Sequence, residues 1–262
     1  MIAVFFAAMV AASPPQALRF VEDGQARRTL DLAALTKVAP AETITVFDPY
    51  YQRQKHFRAV PLLPVLAAGF GGRDLRREEV LLRAQDGYTV PIAGARLYEG
   101  GAYLAFRDED VPGWEPIGPQ HADPAPFYLV WTRPGQDKLE THPRPWALQT
   151  IEVTRFEKAF PHVPPTGGGA QVKHGFAVFR AECIKCHAIN REGGHVGPDL
   201  NVPQNIFEYR PEAQIRAYIR DPQQFRYSAM PAHPDMSDED LDALLAYLRQ
   251  KRGEKFDSGK KQ

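Results

Sequence analysis

The chain has 262 residues, 44% of them hydrophobic and 24% charged, the make-up of a globular chain rather than a disordered one. Thirty-two Lys and Arg balance 32 Asp and Glu, so the basic surplus that nucleic-acid binding requires is missing. Only two cysteines are present, and once one motif claims both there is no thiolate left for another metal.

Met1 to Ala12 is entirely apolar, too short for a spanning helix but suited to the core of a signal peptide over residues 1–12. Val10-Ala11-Ala12 before Ser13 offers a small-residue cleavage site, although no Lys or Arg precedes the core. A misassigned start or an uncleaved anchor would each account for that. Leu18 to Val21 reads as a strand, turned by Glu22-Asp23-Gly24 into a second at Arg27 to Leu32, with a short helix over 32–38. Thr43 to Phe47 is β-branched and reads as a buried strand. It leads into a polar, aromatic stretch: Asp48, Tyr50, Tyr51, Arg53, Lys55 and His56. Pro61 to Ala68 is an apolar helix stopped by Gly69-Phe70-Gly71-Gly72. Val80 to Ala84 and Tyr88 to Ile92 form a hairpin around Asp86-Gly87. Further strands are read at Tyr103 to Phe106 and Phe127 to Trp131, and the region closes at Trp146 to Val153. Residues 13–160 are thus expected to form a mixed α+β, mainly-β domain.

This order resembles the sulfite-oxidase-type molybdopterin-binding domain. The likeness rests on the strand ending at Phe47, the helix after Val60-Pro61-Leu62, the Asp86-Gly87-Tyr88 hairpin, and the strands at Leu104-Ala105-Phe106 and Pro126 to Val130. Enzymes of that family bind molybdenum through a cysteine thiolate just after the strand that here ends Val46-Phe47-Asp48, and no cysteine stands there. Asp48, a hard carboxylate, is no substitute for a soft thiolate. The resemblance therefore implies a degenerate domain with molybdenum cofactor not expected. The 48–56 stretch stays open between a loop for an anion or pterin-like ligand, held by Arg53 and Lys55 with Tyr50 and Tyr51 stacking, and a solvated loop whose tyrosines pack on the domain, which is the favoured reading.

Residues 161–170 begin with a Pro- and Gly-rich run to Gly169 that reads as a linker. A helix over Gln171 to Glu182 buries Val172, Phe176 and Phe179. It delivers Cys183-Ile184-Lys185-Cys186-His187, the spacing of a c-type haem attachment site. Two thiols one helical turn apart can add to the two vinyl groups of a porphyrin, and the adjacent imidazole then lies under the iron. A thioredoxin-like pair would want a preceding strand, and a zinc site would want two further cysteines. Gly197-Pro198-Asp199-Leu200 follows, and the Pro198 carbonyl is placed to accept from the second ring nitrogen of His187. A helix at Glu212 to Arg220 ends at Asp221-Pro222. Met230-Pro231 supplies a thioether for the other face of the iron, with His233 and Met236 as rivals, and Arg226 and Tyr227 are candidates for the propionates. Ser237 caps a last helix, Asp238 to Gln250, with an apolar stripe of Leu241, Leu244, Leu245 and Leu248. From Val172 to Lys251 the order of motifs resembles a class I cytochrome c domain. That implies an all-α domain over 171–251 in which Gly175 and Phe179 meet Leu244, Tyr247 and Leu248, followed by a polar tail over 252–262. His121, His142, His162, His174 and His195 show no ligand spacing and are expected at the surface.

The expectation is an exported, periplasmic monohaem electron carrier. It would exchange single electrons with a redox protein donor and acceptor, and its N-terminal domain would dock a partner or a small ligand. Six-coordinate iron leaves no site for substrate, so no catalysis at the haem is expected. Alternatives are an oxidoreductase or oxidoreductase subunit with a pterin-like cofactor in the first domain, and a ligand sensor. No nucleic acid is expected as a partner, and no membrane span unless the signal is uncleaved.

Overall fold

The computed structural model describes residues 16–118 and 120–257; the expected signal segment and the last residues of the expected tail, 258–262, lie outside them. Strand β1 (Ala17–Glu22) turns at Asp23-Gly24, both with positive φ, into β2 (Gln25–Asp31), antiparallel to it. Asp31 then caps α1 (Leu32–Val38), its carboxylate accepting from the Ala34 amide at 2.7 Å. Strand β3 (Glu42–Asp48) pairs antiparallel with β4 (Arg53–Pro61), which runs into α2 (Leu62–Gly69). The β5 (Glu79–Ala84) and β6 (Thr89–Ala93) hairpin leads to the single turn α3 (Gly94–Leu97), then β7 (Ala102–Asp108), β8 (Tyr128–Trp131) and β9 (Leu148–Val153).

The strands make two sheets. One has the order β2-β1-β9-β5-β6, with only β1 and β9 parallel; the other, β3-β4-β7-β8, is antiparallel throughout. A core of Leu18, Phe20, Leu82, Phe127, Trp131 and Ile151 joins them with the buried faces of α1 and α2. The other face of the second sheet carries a separate aromatic core built on Phe57, Tyr128 and Val130. A mainly-β N-terminal region is therefore what the chain forms. Strand β4 was not visible in the sequence, because its inward positions include Lys55 and the apolar alternation is broken there.

The short α4 (Phe156–Ala159) precedes residues 161–169, which join the halves and are themselves seated: Val163 is fully buried, and its carbonyl accepts from the Tyr247 hydroxyl at 2.7 Å. Helix α5 (Ala170–Val178) widens into a π turn at Phe179–Cys183, closed by the Ile184 amide bonding to the Phe179 carbonyl at 3.0 Å. The expected single helix over 171–182 is thus two segments, and the wider turn sets the direction in which Cys183 leaves. Strands β10 (Ala188–Ile189) and β11 (Glu192–Gly193) form a minimal ladder, followed by α6 (Ile206–Tyr209), α7 (Glu212–Arg220) and α8 (Asp238–Lys251). Residues 252–257 of the expected tail lie mostly exposed but make specific contacts. Phe256 stacks on His162 with ring centroids 3.6 Å apart, and Lys255 pairs with Glu208 at 2.7 Å. Among the described residues no helix is long and apolar enough to cross a membrane.

Candidate functional site

The Cys-x-x-Cys-His motif leaves the π turn as a tight loop. The His187 and Cys186 amides both bond back to the Cys183 carbonyl, at 2.9 and 3.1 Å. Both cysteines are free thiols, and burial pushes Cys183 up to about 12 and Cys186 up to about 11, so each is a neutral thiol at ordinary pH. His187 Nδ1 lies 2.8 Å from the Pro198 carbonyl oxygen, which can only accept. That bond assigns the ring proton to Nδ1 and leaves the Nε2 lone pair available to a metal. Burial lowers the His187 pKa, opposed by the bond to Pro198, so the neutral ligand form is favoured. Gly197 closes the loop over the ring; a Cβ there would lie 2.4 Å from His187 Cε1.

These residues fit haem c on the chemistry of their donors. Two neutral thiols stand one turn apart beside an oriented imidazole, and among the described residues no three His, Cys, Asp or Glu side chains gather as a site for a bare ion. Cys183, Met230 and Met236 all pack against one core with Phe179, Ile184, Ile215, Leu244 and Leu248. Both methionines are half-buried there, so burial does not separate them. The Met230 loop is pinned to α7: the Met230 amide donates to Ser228 Oγ at 3.2 Å, the Tyr218 hydroxyl to the same oxygen at 3.0 Å, and Arg226 Nε to the Tyr218 hydroxyl at 3.2 Å. Tyr227 beside them is 80% exposed. His233 is partly buried, which lowers its pKa, and its amide bonds to the Ile219 carbonyl at 3.1 Å.

The 48–56 stretch has a different character from a ligand loop. Asp48 is fully buried at the end of β3, accepting from the Tyr128 hydroxyl at 2.7 Å, from the Tyr50 amide at 2.9 Å and from Arg144 at 3.5 Å. Lys55 is not on a loop but inside β4, with no exposed surface, its ammonium 2.8 Å from Asp108, 2.9 Å from Glu115 and 3.2 Å from Asp110. Arg53 pairs with the same Glu115. Tyr51 sends its hydroxyl to the Glu115 carbonyl at 2.6 Å, and its ring lies 4.9 Å from the Lys55 ammonium. The cations expected to hold an anion are thus already matched by carboxylates from β7 and the segment after it. Tyr50 lies with its ring edge-on to Trp146, centroids 5.1 Å apart, and burial pushes its hydroxyl up to about 12. Sequence reasoning missed Arg144, Asp108 and Glu115, whose partners are 53 to 96 positions away. It also placed His142 at the surface, whereas it is buried edge-on to Trp131 with its ring 3.0 Å from Glu99.

Comparison with known proteins bears on the C-terminal half. Residues 172–251 match the family described as Cytochrome c, and this part of the chain is a cytochrome c domain. The chain is 43% identical over 74 residues to cytochrome c oxidase subunit 2 of Alkalihalophilus pseudofirmus, covering 26% of this chain and 21% of that protein. It is 33% identical over 96 residues to lupanine 17-hydroxylase [cytochrome c] of a Pseudomonas species, covering 36% of this chain and 13% of that one. The chain thus spans about a fifth of the first relative's length and 13% of the second's.

Proposed function

We propose that the chain is an exported electron carrier with one haem c, and that Cys183 and Cys186 anchor the group while His187 and Met230 ligate its iron. Haem bound there supplies a one-electron ferric/ferrous couple. The chain's own residues do the rest. The Pro198 carbonyl fixes the His187 tautomer. The core around Phe179 and Leu244 excludes water. The Ser228 and Tyr218 contacts hold the loop that presents Met230. The observation that carries the reading is the His187–Pro198 bond inside a Cys-x-x-Cys-His loop, in a segment that matches the cytochrome c family.

Redox proteins as donor and acceptor, a periplasmic address and the likeness of residues 13–160 to a sulfite-oxidase-type domain belong to this proposal. We place no pterin-like cofactor at Arg53 and Lys55, because their charges are committed to Asp108, Asp110 and Glu115. Potentiometric titration of the purified holoprotein, followed in the visible, tests the function. One reversible one-electron transition is expected. A protein that takes up no haem, or holds haem that does not cycle, contradicts it.

A further inference from the structure

Successive carbonyls of the attachment loop, from Cys183 to Cys186, each accept a backbone amide, and the donors come from both halves of the chain. The Cys183 carbonyl accepts from Cys186 and His187 at 3.1 and 2.9 Å, Ile184 from Gly194 at 2.8 Å, and Cys186 from Gly197 at 2.8 Å. These donors all lie within the cytochrome c domain. The Lys185 carbonyl accepts instead from the Thr89 amide at 2.9 Å, across the join. Thr89 opens β6, the edge strand of its sheet, and its amide points away from β5. Two residues along the same edge stands Pro91, which has no amide to offer. A second bond runs the opposite way: the His195 amide donates to the Gly87 carbonyl at 3.1 Å. Gly87 has φ +91°, and a Cβ there would stand 2.9 Å from the His195 Cβ, so glycine is what lets the two backbones approach this closely. At the far end of the hairpin, Glu79 pairs with Arg180 of the π turn and accepts from the Phe156 amide at 2.7 Å.

We infer that the Gly87–Thr89 turn is a positioning element of the haem site: it bonds at once to the Cys-x-x-Cys-His loop and to the 193–197 segment, and so holds the loop that presents His187. The inference rests on the haem reading above and deepens it by giving the N-terminal domain a part in keeping the proximal ligand in place. Gly87 and Thr89 act through Lys185 and His195, not on the ligand itself. Lys185 stands between the two cysteines, two residues before His187, and His195 stands two residues before Gly197, which closes over the His187 ring. Slack at either bond therefore reaches the imidazole through a short piece of backbone.

The test is amide hydrogen exchange in the ferrous holoprotein, read residue by residue by NMR, together with the hyperfine-shifted ring resonances of His187 in the ferric form. Thr89→Pro removes the donor at the first residue of an edge strand, where proline breaks no ladder bond. The Cys186, His187, Gly194 and Gly197 amides are expected to exchange about ten-fold faster in it, the worth of one hydrogen bond. The α8 amides of Leu244 and Leu245 should keep their wild-type rates, and the His187 resonances should move. Thr89→Val, which keeps the amide, should match wild type in both readouts. Gly87→Ala, which cannot keep the contact with His195, should reproduce the Thr89→Pro pattern, and it decides the matter if Thr89→Pro does not fold. Loop amides and His187 resonances at wild-type values overturn the positioning role, and so does an equal acceleration in α8, which marks a general loss of stability. Either result leaves the electron-carrier reading standing. Failure of that reading looks different: wild-type protein without covalent haem.

Discussion

Lys55 stands at the centre of a charge cluster inside the N-terminal domain. Its ammonium is buried with Asp108, and Asp110 and Glu115 complete the cage. Breaking a buried pair by removing one partner typically costs about 3–5 kcal/mol, so Lys55→Met should lower the unfolding free energy by an amount of that order in urea titrations. A loss below about 1 kcal/mol, the range of an exposed pair, would show the cage to be loosely solvated. The acid limb should respond as well. Burial pushes the Asp110 carboxyl up, but hydrogen bonds from His56 and Lys55 outweigh it and hold the group at about 2. A carboxyl depressed in the folded state stabilises fully above its ordinary value of 3.8, and that contribution fades as pH falls toward 2. Without Lys55 the folded-state carboxyl lies closer to 3.8, so the contribution is smaller and its fade is complete at a higher pH. The sequence showed these residues as a dense polar group but not their mutual pairing, because the carboxylates come from beyond residue 107 and only the sheet brings them in. His187 and Pro198 were legible, since ten residues separate them and one loop joins them. For Met230, Met230→Ala should abolish the weak near-infrared sulfur-to-iron band of the ferric protein, and Met236→Ala should keep it; the reverse pattern would transfer the ligand to Met236.

At the scale of elements, the haem-bearing loop depends on α5 crossing α8. Gly175 sits at the crossing point, where a Cβ would lie 1.8 Å from the Ala243 carbonyl oxygen and 2.8 Å from Tyr247 Cβ. Phe179 then packs against Tyr247 with ring centroids 5.3 Å apart. Because the obstacle at Gly175 is backbone, the helices must part to admit a methyl. Overpacking of this kind costs about 1–3 kcal/mol, more than the roughly 1 kcal/mol of helix propensity that alanine gains over glycine. Gly175→Ala is therefore expected to lower the melting temperature of the holoprotein, and a rise would mean that the crossing is looser than it stands. Helix α7 was legible up to its stop at Asp221-Pro222 and α8 from its apolar stripe, and α8 ends within one residue of its expected limit. The π turn, α6 and the β10–β11 ladder were not, being too short to have a period; the π turn is set by the helix crossing on one side and the cysteine loop on the other.

The whole molecule is held together across the join. Leu81 of β5 shares a core with Phe156, Phe160, Val163 and the cytochrome c helices, and Arg180 pairs with Glu79 while its guanidinium lies 4.2 Å from the Phe156 ring centroid. The Pro/Gly-rich composition of residues 161–169 suggested a linker, but composition could not show that Val163 is buried or that the β5–β6 turn bonds to the Cys-x-x-Cys-His loop. Those contacts belong to the docked pair. The holoprotein should accordingly unfold in a single calorimetric transition, and two separated transitions would show the halves to be independent. The central claim, that the C-terminal half carries covalent haem for electron transfer, is tested most directly by mass spectrometry of the purified protein in denaturing acid. The account predicts polypeptide plus one haem in the wild type, and polypeptide alone in the Cys183→Ala, Cys186→Ala double variant. A wild-type chain that sheds its haem in acid, and appears at the mass of the polypeptide alone, would contradict it.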